Sequence, residues 1–368
     1  MVKNTKAGIK KYLLAVCLGK DKNPINVFVR FFLQILSCLY GAILALRFYL
    51  YESGVLKSEK FNLKIISVGN ITTGGTGKTP LVELIIEYFN RHAEKTTVIS
   101  RGYKGTASDS GTIADEAQML KQEFPQTQVI INKNRRLALK GIPDHFKQGC
   151  VILDDALGHL KIRKNLNIIC IDARDPFSNG FLLPRGLMRL PFKYLKKADC
   201  FMLNNAVVAE REINRIKNKL SKYNKSAFVC LSEHRADYFY DLITQKKFNL
   251  NEISQNQKSK KIALLCAIAV PDGFKNIIET LGINIGKSFF YEDHHIFTEP
   301  EIKVIMDICN QQNIKTIITT AKDEPRLKGI SLEFLNNKSI EFLVLKVKLG
   351  IKENEERFLA QLSALSAD

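Results

Sequence analysis

The sequence predicts an α/β protein built on a parallel sheet with helices on its faces, followed by a second, smaller α/β domain and preceded by an apolar helical segment. Three observations predict it. Short apolar runs of strand length recur after residue 60, helical stretches separate several of them, and a glycine-rich turn sits where one run meets a helix. Runs that are apolar throughout belong to strands buried on both faces. Strands alternating with helices build parallel sheets. At about 150 residues per domain, the 368 residues suffice for two domains.

Composition narrows the class. The 45% hydrophobic content supports an ordinary core and excludes a disordered chain, a collagen-like repeat and a polytopic membrane protein. Lys and Arg number 55 against 37 Asp and Glu, a formal charge of +18, with a pI near 9.4. That excess calls for an anionic partner: a phosphorylated ligand, a nucleic acid or a membrane surface. The eight cysteines form no Cys-x-x-Cys pair, and several sit in apolar runs, so they read as buried thiols of a reducing compartment.

Residues 1–30 carry seven Lys or Arg against Asp21 alone. The apolar run Phe31–Leu46 follows, bracketed by Arg30 and Arg47, with Phe28, Phe48, Tyr49 and Tyr51 crowding its ends. Sixteen residues fall short of the roughly 20 that span hydrocarbon. The favoured reading is a helix lying in the interface of an anionic leaflet; a buried helix and a true transmembrane helix are the alternatives. No signal-peptide pattern fits.

The runs 64–69, 96–100, 150–154, 166–172 and 200–203 read as buried parallel strands, with a helix over 80–91. Between the first strand and that helix lies Val68-Gly-Asn-Ile-Thr-Thr-Gly-Gly-Thr-Gly-Lys-Thr-Pro80. Glycines there let backbone N–H groups close on phosphate oxygens, and the helix N-terminus adds its positive dipole end. Residues Thr73, Gly74, Gly75, Thr76, Gly77, Lys78 and Thr79 are therefore the nucleotide-binding candidates, Lys78 for the β- and γ-phosphates and Thr79 for Mg²⁺. The strict phosphate-loop pattern wants Gly at position 72, where this chain has Thr72. Strand 150–154 ends in Asp154 and Asp155, where P-loop proteins carry the acid that helps anchor Mg²⁺.

Two basic segments follow strands or turns: Ser100-Arg-Gly-Tyr-Lys104, and Leu183-Pro-Arg-Gly-Leu-Met-Arg189 with Lys193, Lys196 and Lys197. Arg101 and Arg189 are the candidates for substrate phosphate. Asp115 and Glu116 open an apparent helix, where acids favour the dipole. The polar stretch before 261 looks like a linker or hairpin, and runs at 262–268, 315–320 and 341–346 begin a second strand series. The expected division is 1–55 membrane-associated helices, 56–230 phosphate-loop domain, 231–261 linker or hairpin, and 262–368 C-terminal α/β domain. In Asp293-His294-His295, neighbours on a strand would face opposite sides, so one imidazole serves a site and the other packs. No RNA motif or recognition helix is legible, so nucleic acid is not an expected partner, and nothing implies an oligomer.

Taken in order, the segments VGNITTGGTGKTP, SRGYKG, ADEAQML, VILDDALGH, FLLPRGLMRLP, AIAVPDGF, DHHIF and TTAKDEPRL resemble the tetraacyldisaccharide 4′-kinase family of lipid A biosynthesis across nearly the whole chain. The resemblance implies a P-loop kinase domain and a smaller C-terminal domain with the active site between them. It implies ATP, Mg²⁺, an acylated glucosamine disaccharide 1-phosphate as substrate, and the cytoplasmic face of the bacterial inner membrane. It also implies that Asp115 and His294 activate the sugar hydroxyl alongside Lys78, and that Asp154 and Asp155 serve the metal. The chain departs from the family's motifs at Ala114, Leu157, Gly158, Leu190 and Ala321. The rival expectation is a membrane-docked P-loop ATPase switch that recruits a partner.

Overall fold

The computed structural model describes residues 16–17, 25–101, 112–206, 210–257, 260–268, 270–293, 295–330 and 340–367. Contacts divide the chain into two compact units, Met1–Glu233 with Ile351–Asp368, and His234–Gly350.

The first unit opens with helix α1 (Ile25–Glu52). Strand β1 (Lys64–Gly69) runs into the glycine-rich loop and helix α2 (Lys78–Arg91). There follow β2 (Thr96–Ser100), α3 (Thr112–Glu123), β3 (Gln128–Ile131), α4 (Arg135–Lys140), α5 (Asp144–Lys147), β4 (Cys150–Asp154) and β5 (Leu166–Asp172). A 3-10 turn (Phe192–Lys197), β6 (Cys200–Asn204), α6 (Glu210–Tyr223) and the first half of β7 (Phe228–Asp241) complete the outward run. The strands pair in the order β7-β6-β5-β1-β4-β2-β3, parallel throughout. The five strands expected from apolar runs are all present. Their near-total burial follows from helices packed on both faces. On α2, Leu81, Val82, Ile85, Ile86 and Phe89 make one buried stripe at helical spacing.

The register positions the site. Val68 pairs with Asp154, so the carboxylate ending β4 is level with the residue that leads into the glycine-rich loop.

Helix α1 differs from the expected sixteen-residue apolar run. It continues through the flanking aromatics and both arginines, and its 27-residue stretch Asn26–Glu52 is long and apolar enough to cross a membrane. Only 11% of its apolar window is buried, which removes the buried-helix reading. The buried residues Asn26, Ser37, Leu44 and Phe48 form one face; Phe28, Phe31, Phe32, Leu39, Ile43 and Leu46 are exposed.

In the second unit, the rest of β7 turns back through β8 (Lys247–Phe248) as an antiparallel hairpin. Then come α7 (Leu250–Gln257), β9 (Lys261–Cys266), α8 (Pro271–Thr280), β10 (Asn284–Phe290), α9 (Glu299–Gln311), β11 (Thr316–Thr320), α10 (Glu324–Lys328) and the start of β12 (Glu341–Glu353). The order β10-β9-β11-β12 is parallel. The segment expected as linker or hairpin over 231–261 is thus a hairpin followed by a helix. Strand β10 was not anticipated. It is an edge strand with no fully buried residue, and a bulge between Ile285 and Lys287 interrupts its pairing.

The chain passes between units inside β7 and again inside β12. Helix α11 (Glu355–Ala367) therefore belongs to the first unit, not to a C-terminal domain running on to 368. Its Phe358 and Leu362 are fully buried, and Lys64 Nζ donates to the Ser366 carbonyl at 3.0 Å.

Candidate active site

The loop after β1 is held by contacts distant in sequence. Thr72 makes an antiparallel bridge with Met188. Thr73 N and Oγ1 donate to the Leu187 carbonyl at 2.7 and 3.1 Å. Extended backbone at Thr72 explains how a side chain is accommodated where the strict pattern has glycine. Beyond it Gly74 and Gly77 take positive φ, +106° and +78°. Gly77 precedes α2 directly, and a Cβ there would lie 2.8 Å from Asn204 Cγ. Asn204, at the end of β6, donates to the Thr76 carbonyl and accepts from Ser232 Oγ at 2.5 Å. A Cβ on Gly75 would meet nothing within 4 Å. The open side of the loop is thus unobstructed, and its back is braced.

Lys78 starts α2 with its ammonium 4.0 Å from Asp155 Oδ1. Asp155 has a positive φ of 52° and takes both Arg189 terminal nitrogens, at 2.9 and 2.7 Å. Burial pushes its carboxyl pKa up, but the Arg189 hydrogen bonds and the charges of Arg189, Lys78 and Arg135 outweigh that and hold it at about 2. Arg189 also donates to Asn70 Oδ1, and its carbonyl accepts from Tyr40 on α1 at 3.0 Å. Its guanidinium, expected to address substrate, is engaged in bracing Asp155.

Asp154 and Thr79 line one small cavity of about 20 Å³ with Val82, Ser100, Ala117, Leu120 and Val129. The donors are hydroxyl and carboxylate oxygens, the set a hard divalent cation takes alongside phosphate oxygens. Ser100 Oγ donates to Asp154 Oδ2 at 3.4 Å. Behind Asp154 lies Arg135, 1% exposed, which donates Nη2 to the Asp154 carbonyl. Its Nε and Nη1 have no hydrogen-bond partner among the described residues. Burial lowers the pKa of this arginine; Asp154 and Asp155 oppose that shift. Burial, with Arg135, Lys164 and Arg47 nearby, holds His159 down at about 4, so it is neutral.

The expected residues Thr73 to Thr79, Asp154, Asp155 and Arg189 therefore converge on the end of β1. Arg101 follows β2 and is exposed. Asp115 falls in the first turn of α3; its side chain, and all of His294 and residues 102–111, lie outside the described residues. Asn70, Arg135 and Asn204 were not anticipated. For Asn70 and Asn204 the sequence signal is a polar residue at the edge of an apolar run; Arg135 carries none. Among the departures from the family motifs, Leu157 is buried, and Leu190 packs against the cluster of Phe48, Leu160 and Tyr194.

A family model described as tetraacyldisaccharide-1-P 4′-kinase matches residues 29–366. A protein of Halothermothrix orenii is 29% identical over 96% of this chain and 97% of its own length. One of Elusimicrobium minutum is 30% identical over 92% of each, and one of Chlorobaculum tepidum 31% identical over 88% and 95%. All three bear the name tetraacyldisaccharide 4′-kinase. Among solved structures, LpxK from Aquifex aeolicus in complex with ATP superposes with a TM-score of 0.65 at 23% identity, over 92% of this chain and 99% of that one. That likeness shows the fold.

Proposed function

Because the chain belongs to the tetraacyldisaccharide-1-P 4′-kinase family, we propose that the site at the end of β1 holds ATP and transfers its γ-phosphate. The acceptor is the 4′-hydroxyl of a tetraacylated glucosamine disaccharide 1-phosphate in lipid A biosynthesis. One observation supports the placement above others: an unobstructed glycine loop, the Lys78 ammonium and the Thr79–Asp154 cavity share the end of one strand.

In this reading, backbone N–H groups from Thr73 to Thr79 take the phosphate oxygens and Lys78 neutralises charge on the β- and γ-phosphates. Thr79 and Asp154 would hold Mg²⁺, which supplies further charge neutralisation on the phosphates when bound. Asp155, fixed by Arg189, sets the position of Lys78. Arg101 is the candidate contact for substrate phosphate. His294 would take the proton of the attacking hydroxyl as its oxygen bonds to phosphorus and ADP leaves; Asp115 would orient the imidazole. The exposed apolar face of α1 suits an anchor that brings the enzyme to its lipid, and the setting in this reading is the cytoplasmic face of the bacterial inner membrane.

The test is direct. Purified protein with Mg-ATP and the disaccharide 1-phosphate in detergent should yield a bis-phosphorylated lipid. No product above a Lys78→Ala control would end the kinase reading. Release of inorganic phosphate at the same rate with and without lipid would favour the ATPase switch. His294→Ala should lower turnover by roughly 10² to 10⁴.

A further inference from the structure

The paired histidines leave one imidazole, that of His295, without a role in this chemistry, and its contacts are specific. Strand β10 ends at Phe290, so His295 sits in a turn beyond the strand rather than on it. Its ring stacks on Tyr291 with centroids 4.6 Å apart and an interplanar angle of 23°. It meets the buried Phe297 edge-on at 5.5 Å. Its Nε2 lies 3.1 and 3.2 Å from the two carboxylate oxygens of Glu301. A carboxylate only accepts, so Nε2 carries the proton.

Glu301 is itself fixed. It closes the capping box of α9, accepting from Thr298 N at 2.9 Å and Thr298 Oγ1 at 2.8 Å. On the other side of position 294, Tyr291 N donates to the Cys266 carbonyl at 2.9 Å, tying the chain to the end of β9. His295 N closes the turn onto the Glu292 carbonyl at 3.0 Å. The next residue along from Cys266 is secured as well. Ala267 N donates to the buried Asp323, which also holds Thr320 Oγ1 at 2.6 Å and Arg326 Nη1 at 2.7 Å. A capping box needs no histidine, and a core needs no hydrogen-bonding ring. What distinguishes His295 is that it joins the aromatic cluster to the helix cap within one residue of position 294.

We propose that His295 is a positioning residue. It anchors the turn between Tyr291 and Glu301, and the chemistry proposed for His294 depends on that anchor. This rests on the kinase reading for its catalytic consequence; the anchoring itself does not.

His295→Phe keeps the stack and loses the Glu301 contact. Glu301→Gln can keep the capping box, which accepts Gln as well as Glu, and turns an amide toward the imidazole. Both should leave the KM for ATP unmoved and lower kcat roughly tenfold or more, the scale on which misplacing a reacting group acts. Adding His295→Phe to His294→Ala should cause no further loss, because a positioner has nothing left to position. Hydrogen exchange over 291–297 should rise in both single variants. An unchanged kcat, or losses that multiply in the double variant, would overturn the proposal. If the wild-type protein transfers no phosphate, the kinase reading falls, and unchanged exchange in His295→Phe would then sink the anchor separately.

Discussion

Gly75 and Gly77 are two residues apart and meet different constraints. A methyl on Gly75 points into open space, whereas one on Gly77 runs into Asn204 at a backbone angle of +78°. Gly75→Ala should melt like the parent but bind ATP more weakly, because the methyl occupies the phosphate side. Gly77→Ala should lose both ATP affinity and stability, by about 1–3 kcal/mol for the strain and the displaced asparagine. Thermal melts with and without nucleotide separate the two; equal melting points for both variants would refute the distinction. Asp155 gives a pH signature. Its folded pKa of about 2 lies below the ordinary 3.8, so its stabilisation is fully present above pH 3.8 and is lost as pH falls through 2. That amounts to about 2 kcal/mol. Asp155→Asn should be less stable than the parent at pH 6, and the gap should close toward pH 2 in denaturant titrations; a constant gap would contradict the ion-pair account. Lys78 and Thr79 could be named as candidates from one local pattern, and Asp154 and Asp155 from the end of a separate apolar run. Asn204, Arg135 and Asn70 were not, because their roles arise from strands and helices brought together over long sequence separations. Arg189 could be named only as a candidate for substrate phosphate; its pairing with Asp155 was not legible.

Among the elements, α1 shows how a charge count misleads. A window broken at Arg30 and Arg47 stops at sixteen residues, yet the helix runs on through both, since long basic side chains can reach a polar boundary while their stems stay in the apolar stripe. At about 1.5 Å per residue its 27-residue stretch exceeds the roughly 30 Å of hydrocarbon. The helix faces two environments. Ser37 donates to the Leu182 carbonyl at 2.9 Å and Tyr40 to that of Arg189 at 3.0 Å, fastening α1 to the segment that braces the glycine loop. The opposite face exposes phenylalanines and leucines to whatever surrounds the protein. Replacing Phe31, Phe32, Leu39 and Ile43 together by Ser should abolish co-sedimentation with anionic vesicles and leave ATP affinity intact. Tyr40→Phe should do the reverse: vesicle binding persists while stability falls by about 1 kcal/mol, the usual worth of one hydrogen bond. If the serine variant still pellets with lipid, α1 is not the anchor.

For the whole molecule, the α/β class was readable from the apolar runs, but the division of the chain was not. A linear reading assigns everything after residue 262 to one domain, whereas helix α11 packs back into the first unit. Only burial reveals this, because Phe358 and Leu362 look like any amphipathic helix pair until their surroundings are known. Cutting the chain after residue 353 should therefore damage the unit that carries the glycine loop. Two fully buried side chains are worth about 3–6 kcal/mol together, beyond the lost contacts of Ser366 with Lys64 and Glu94. The truncated protein should show a lower melting transition and no nucleotide protection. Retention of normal ATP affinity would show that α11 is dispensable.

The double crossing through β7 and β12 also bears on synthesis. A ribosome delivers the glycine loop early, whereas α11, a helix of the same unit, follows only after the whole of the second unit has been made. Until then the amino-terminal half lacks part of its own interior, and its apolar leading helix is already exposed. Capture of that helix by a bilayer during translation would hold the unfinished half at a surface and out of reach of its neighbours until α11 joins its unit.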